Sequence, residues 1–411
     1  MTSATPPTTT RFQLSADTLA MTATLAMLTS LGPLSTDMYL PALPAIAAGL
    51  GTTIAGAQLT LSAFLLGFAL GQFLYGPLSD RIGRRPVLGF GLGLFLVATL
   101  ACIVAPNIET LTLARFVQAL GASAPIVLAR AIVRDLYEGP RAGRELSRMG
   151  TIMGLVPAIA PVLGGVIHVA FGWRAVFVAI MIAGLALTFV VLRHLPETLR
   201  SRETTPLSLK AILAGFALLL RHPTYRVYVG LSALTYSGLF AFISGSSFVL
   251  QGVYGLSELA YGFSFGFVVI GFIAGTLIAQ RVVGIRGLDG TIGLGVLCLA
   301  GGGIGMLVLS VIGTGSALEV VLPMALYGIG VGLTMPQCMA SALTPFPERA
   351  GAASSLLGII QMGLAAFVGI GLGAALIYAD IAMAVALAGL GIAALALFAM
   401  TRSVRRDGAA A

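Results

Sequence analysis

Charge is what this chain has least of. Asp, Glu, Lys and Arg make up 9% of its 411 residues, hydrophobic residues make up 58%, and the mean hydropathy is +1.01. Soluble domains carry about 25% charged residues, so a water-soluble fold is excluded. There are three cysteines, Cys102, Cys298 and Cys338, scattered and without a CxxC pair. They build neither a disulfide framework nor a metal site. The three histidines, His168, His194 and His222, stand far apart and lack ligand spacing, so no metal is expected. The chain has no P-loop, GxSxG or HExxH, which removes ATP-driven, acyl-transfer and zinc-hydrolase chemistry. GFGLGLF, at 89–95, lies inside an apolar run and lacks the strand–turn–helix setting of a dinucleotide site. No cofactor and no enzymatic activity are expected.

What is present is a succession of apolar runs of about 20 residues, each long enough to cross about 30 Å of hydrocarbon. Twelve spans are read at 17–40, 56–79, 86–105, 109–130, 149–170, 174–193, 224–249, 258–280, 288–312, 317–343, 350–377 and 381–401. The runs do not alternate polar and apolar, so a membrane barrel is excluded. The 53 glycines suit helices that pack closely in lipid. The net charge of +8 does not mark a nucleic-acid binder, because 21 of the 23 Lys and Arg fall on one side of the twelve spans. Arg174 alone lies on the other side, and Arg115 lies inside the membrane. This bias places both termini in the cytoplasm. The opening MTSATPPTTTRFQ is polar and reads as a disordered cytoplasmic tail over 1–16, followed by an uncleaved signal anchor.

The longest internal polar stretch separates two sets of six spans. The expected organisation is a six-helix bundle at 17–194, a cytoplasmic linker at 195–222, a second bundle at 223–402 and a short cytoplasmic tail at 403–411. GFALG at Gly67–Gly71 recurs as GFIAG at Gly271–Gly275, and RMG at Arg148–Gly150 as RAG at Arg349–Gly351, at offsets of 204 and 201. Such an internal duplication puts a substrate site at the repeat interface near the midplane.

Two ionisable residues remain inside the spans: Asp37 in LSTDMYLPALP and Arg115 in TLARFVQALGASAP. A charge in hydrocarbon costs at least about 2.5–3.5 kcal/mol and is tolerated where it faces a cavity and finds a partner. One acid and one base point to a proton-linked polar site. Helix four enters near Glu109, so Arg115 lies about 9 Å deep at 1.5 Å per residue. Asp37 lies toward the outer end of helix one, so a direct pair or a shared water network is open. So are two plainer readings: Arg115 snorkelling to the surface, and Asp37 as a water-facing helix end. Further polar and aromatic candidates for a cavity are Tyr39, Gln118, Tyr236, Phe240, Phe242, Gln337 and Gln361; packing roles compete at each.

The loop GPLSDRIGRRP spans Gly76–Pro86. Gly76 allows close helix approach, Gly83 suits a tight turn, Pro86 fits the first turn of a helix, and Arg81, Arg84 and Arg85 face an anionic leaflet. With Gly76, Leu78, Asp80, Arg81, Gly83, Arg84 and Arg85 it resembles the signature loop of the major facilitator superfamily, as do the twelve spans and Pro196–Thr198. The resemblance implies an all-α membrane fold of two pseudo-symmetric six-helix bundles. It also implies a conformational latch in which Asp80 pairs with Arg130 and Arg134. MGLVPAIAPVLGGVI on helix five, with Pro157, Pro161, Gly164 and Gly165, resembles the motif of the family's drug–proton antiporters. A generic Gly/Pro-rich membrane helix is the plainer reading. The glycines are expected to pack against the other half.

STDMYLPALP in helix one and FISGSSFV in helix seven resemble the bicyclomycin and chloramphenicol resistance branch. By that resemblance the chain is a monomeric bacterial inner-membrane transporter. It exchanges lipophilic, phenicol- or bicyclomycin-like drugs for protons, with Asp37 and Arg115 at the coupling site. The alternative is a proton-coupled exporter or symporter of a small metabolite.

Overall fold

In the computed structural model, residue 15 and residues 18–137, 139–199, 209–346 and 349–405 are described. Most of the expected terminal tails, 1–16 and 403–411, and the middle of the expected linker lie outside them. The first half is built from α1 (Leu19–Asp37), a 3-10 turn at Leu40–Ala42, a short α2 (Leu43–Gly49), α3 (Ile54–Ile82), α4 (Arg84–Val104), α5 (Ile108–Leu136), α6 (Gly139–Phe171) and α7 (Trp173–His194). After α8 (Leu209–Arg221), the second half comprises α9 (Pro223–Ser247), a π-helical turn at Phe248–Val253, α10 (Glu258–Ile312), α11 (Leu318–Leu343), α12 (Ala350–Leu376) and α13 (Ala382–Met400).

Eleven helices among the described residues are long and apolar enough to cross a membrane. One of them, α10, has 55 residues and is about 80 Å long, far more than one crossing needs. It breaks at Gly287, whose φ of 69° and ψ of −178° are not helical. Two spans result, making twelve in two six-helix bundles. Several helices start on polar caps: Thr18, Thr53, Asn107 and Ser257 each accept a backbone N–H of the following turn.

The recurring glycines do matching jobs in the two halves. A Cβ on Gly67 would stand 2.3 Å from the Phe116 carbonyl of α5, and one on Gly271 2.4 Å from the Ala325 carbonyl of α11. Gly71 and Gly275 repeat this one turn later, against Leu120 and Ile329. Each pair lets a helix cross its neighbour backbone to backbone, which larger residues forbid. Gly76 does not join in: a Cβ there meets nothing nearer than a Val127 methyl at 4.0 Å. The close approach expected at Gly76 is made by Gly67 and Gly71 instead.

Arginine-bearing loops gather on one face, which also carries α8. On the opposite face Arg174 donates to the carbonyls of Ile103 and Ala105 at 3.1 Å, closing the open end of α4. On the arginine-rich face a vestibule lies between the two halves.

Candidate functional site

Two adjacent cavities lie between the halves. The inner one, about 520 Å³, is lined by α1, α3, α5 and α6 of the first half and α9–α12 of the second. The other is a vestibule of about 950 Å³ on the arginine-rich face, and Met153 and Met339 line both. The inner cavity has the size of a drug-sized ligand site. Its wall is aromatic and thioether-rich: Phe64, Phe68, Tyr236, Phe240, Phe242, Phe265 and Phe272, with Met153, Met335, Met339 and Met362. Phe64 stacks on Phe68 at 6.0 Å, and Phe242 on Phe265 at 5.6 Å.

Among the lining residues Asp37 is the one ionisable side chain with a carboxylate or a base. It ends α1, is 6% exposed, and makes no side-chain hydrogen bond or ion pair to a described residue. The chain turns sharply past it: the Tyr39 N–H bonds to the Thr36 carbonyl at 3.3 Å, and Leu40–Ala42 continue as a 3-10 turn. Pro33, by contrast, sits within α1.

Arg115 is elsewhere. It is fully buried inside the first bundle and does not line the cavity. Its guanidinium lies over Phe64 at 4.2 Å and over Tyr39 at 4.8 Å. Nη1 donates to the Ser35 carbonyl at 3.1 Å and to Gln118 Oε1 at 2.6 Å. The ring of Phe64, a cavity wall, stands between the cation and the cavity. The direct Asp37–Arg115 pair left open by the sequence is therefore absent. Ser35 is two residues before Asp37, and its carbonyl is released where the helix ends. Arg115 fills that vacancy, so it holds the helix end that presents Asp37.

Tyr236, Phe240, Phe242 and Gln361 line the cavity as anticipated, with Gln361 accepting from Ser232 at 3.1 Å. Tyr39 and Gln118 do not. Tyr39 bonds Thr60 at 2.8 Å and packs on Phe177 at 5.4 Å, while Gln118 donates to Thr99 at 2.8 Å. Both belong to the shell around Arg115. Gln337 is also outside the lining.

The opposite face is closed by groups from both halves. Gln58 donates to the Ser244 carbonyl at 2.8 Å, and Gln251 donates to the Pro41 carbonyl at 3.1 Å and to the Ser247 hydroxyl at 2.7 Å, so Gln251 bridges the helix-one and helix-seven motifs. Pro157 lines the cavity, and Pro161 and Gly164–Gly165 follow on α6. A Cβ on Gly165 would stand 3.1 Å from the Glu258 carbonyl of the other half. Gly164 differs from expectation, packing within its own half: its Cβ would stand 2.0 Å from the Met38 carbonyl. The motif thus seats α6 against the turn after Asp37 as well as against α10.

At the arginine-rich face Asp80 does not pair with Arg130 or Arg134. Arg84 takes it, with Nη1 2.5 Å from Asp80 Oδ1 and Nε 2.9 Å from Asp135 Oδ2. Arg84 is the nearer partner, four residues on and just past the Gly83 turn, whereas Arg130 and Arg134 line the vestibule. Arg85 donates to the Leu192 carbonyl at 2.5 Å, and Arg81 closes the last turn of α3. Glu197, within the Pro196–Thr198 motif, was not singled out by sequence. Its carboxylate accepts the backbone N–H groups of Arg84 at 2.9 Å and Arg85 at 3.1 Å, capping α4. Gly83 turns there with φ of 120°, and a Cβ would come within 2.6 Å of that carboxylate. Glu197→Gln removes an anion from a helix N-terminus, worth about 0.5–2 kcal/mol. A lower melting temperature of the purified protein is expected, with substrate binding unchanged; an unaltered melting curve contradicts the capping role.

The sequence profile of the Major Facilitator Superfamily matches residues 25–370. The chain is 33% identical to a chloramphenicol resistance protein of Pseudomonas aeruginosa over 362 residues, covering 86% of this chain and 83% of the relative. It is 31% identical to a bicyclomycin resistance protein homolog of Haemophilus influenzae over 356 residues, covering 84% and 87%. Among solved structures, the nucleoside transporter NupG superposes with a TM-score of 0.77 at 12% identity, covering 93% of this chain and 99% of that one. At that identity the likeness speaks for the fold alone. A twelve-helix fold in two halves, a cavity between them and a family profile running through most of the sequence make this chain a member of the Major Facilitator Superfamily.

Proposed function

We propose that this protein exports lipophilic drugs in exchange for protons, with Asp37 as the group that both cargoes use. The observation that carries this reading is a carboxylate with no basic side chain among the lining residues, in an otherwise largely apolar cavity between the two halves. The positive-inside rule makes the arginine-rich face cytoplasmic, so the bacterial inner membrane would hold the protein open to the cytoplasm in this structure. The relatives' names add support, since they speak of resistance to chloramphenicol and bicyclomycin.

Exchange requires that drug and proton exclude each other. A neutral apolar body alone does not meet that requirement, because drying the cavity favours the protonated acid. A drug that adds a hydroxyl or amide donor does. The donor makes a charge-assisted hydrogen bond to the ionised carboxylate, and a proton on Asp37 removes the charge and weakens that bond. Drug then enters from the cytoplasm onto ionised Asp37, and protonation from outside displaces it. One net proton moving inward contributes about 2.3 kcal/mol per 100 mV, about a 50-fold bias.

The test is counterflow in proteoliposomes carrying a pH-sensitive dye. A chloramphenicol gradient is expected to drive protons the opposite way across the membrane. Protons moving with the drug would establish symport, and no proton movement would remove the coupling.

A further inference from the structure

We infer that the vestibule on the arginine-rich face binds the phosphate group of an anionic phospholipid between Arg130, Arg134 and Arg349. The inference stands apart from the drug–proton reading, since it concerns a different cavity and different residues.

Arg130 and Arg134 lie one turn apart on α5, close enough to repel each other. Arg349 enters the same space from the other half. Among the described residues no acidic side chain pairs with any of the three. Asp80 shares the vestibule, but Arg84 holds it. Three cations gathered on an accessible wall, with no acidic partner among the described residues, concentrate anions. The first turn of α12 begins beside Arg349 without a side-chain cap, its Gly351 and Ala352 line the vestibule, and Ser354 and Ser355 of the next turn join them. Its free N–H groups and positive dipole end favour the same charge.

The rest of the wall identifies the carrier. Phe73 and Phe216 meet at 5.8 Å, and Ile212 lies beside them. Phe216 and Ile212 come from α8, the amphipathic helix on this face. An inorganic anion has no use for those groups, whereas an acyl chain covers them while its headgroup sits on the arginines. Basic pockets between membrane helices are suited to such headgroups. A lipid lodged there must leave before this face closes, so anionic lipid favours the open arrangement.

Native mass spectrometry of the full-length protein with phosphatidylglycerol tests this. Each of Arg130→Gln, Arg134→Gln and Arg349→Gln is expected to weaken retention about fivefold, and the triple variant about 100-fold. Lysine at the same positions should retain most of it, which separates charge from misfolding. Asp80→Asn leaves the three cations in place and should retain lipid. Equal retention by the triple Gln variant, or an equal loss in Arg193→Gln/Arg221→Gln, would overturn the site. Displacement of the lipid by inorganic phosphate at matched ionic strength would overturn the lipid assignment in favour of a free-phosphate site.

Discussion

Asp37→Asn is expected to reduce drug export to the level of cells without the transporter, while leaving the fold intact. The side chain makes no hydrogen bond or ion pair to a described residue, so the isosteric amide strands no partner and no fall in melting temperature is expected. Coupling is lost because an amide cannot change charge between the two faces. The roughly 50-fold bias that a 100 mV potential gives one proton goes with it. Chloramphenicol accumulation, with and without a protonophore, reads this directly. Wild type should lose export when the gradient collapses, and the Asn variant should show the collapsed level throughout. Asp37→Glu keeps the titrating group and should retain part of the export. Wild-type export by the Asn variant would take Asp37 out of the mechanism and leave the fold unaffected.

The contrast between Asp37 and Arg115 shows what was legible in the sequence. Both stood out because ionisable residues inside apolar runs are expensive, and that argument does find residues with a structural or functional reason to be there. It does not say which reason. Asp37 ends a helix at the cavity, and Arg115 lies under an aromatic wall one layer away; a depth estimate along the helix axis cannot separate the two. The rotation of α5 about its own axis decides, and its glycines and alanines leave the hydrophobic pattern nearly featureless. Tyr39 and Gln118 take the packing role that competed with cavity lining at each: both follow Arg115 into the interior of the first bundle.

Other features were legible because they depend on spacing alone. The 204-residue offset between Gly67–Gly71 and Gly271–Gly275 corresponds to two equivalent helix crossings. Gly83 was read as a turn and has φ of 120°. Glu197 went unrecognised because its role depends on a contact across 113 residues. The Asp80 partner was misassigned because a resemblance to a switching family does not tell which state is in hand. In this arrangement Arg84 holds Asp80, and the arginines of α5 face an open vestibule.

Arg115→Met should abolish export by a different route, and the two variants together separate chemistry from architecture. Methionine fills much of the arginine volume but donates nothing. It leaves the Ser35 carbonyl and Gln118 Oε1 without the Nη1 donor they share. A stranded buried acceptor costs about 1–3 kcal/mol, and the lost contacts with the Phe64 and Tyr39 rings add about 2 kcal/mol for a desolvated cation. Set against this is the relief of no longer burying a guanidinium whose Nε and Nη2 have no hydrogen-bond partner among the described residues. The net expectation is a loss of a few kcal/mol, read as a clear fall in melting temperature that Asp37→Asn does not show. Because Ser35 sits two residues before Asp37, the helix end that presents the carboxylate loosens, and binding of chloramphenicol should weaken along with transport. Arg115→Lys keeps a charge but loses the planar fork that reaches both acceptors, so it should recover stability only in part. A variant at Arg115 with wild-type stability and no export would mean that the arginine acts on the proton or drug itself, and that its hold on the Ser35 carbonyl is incidental.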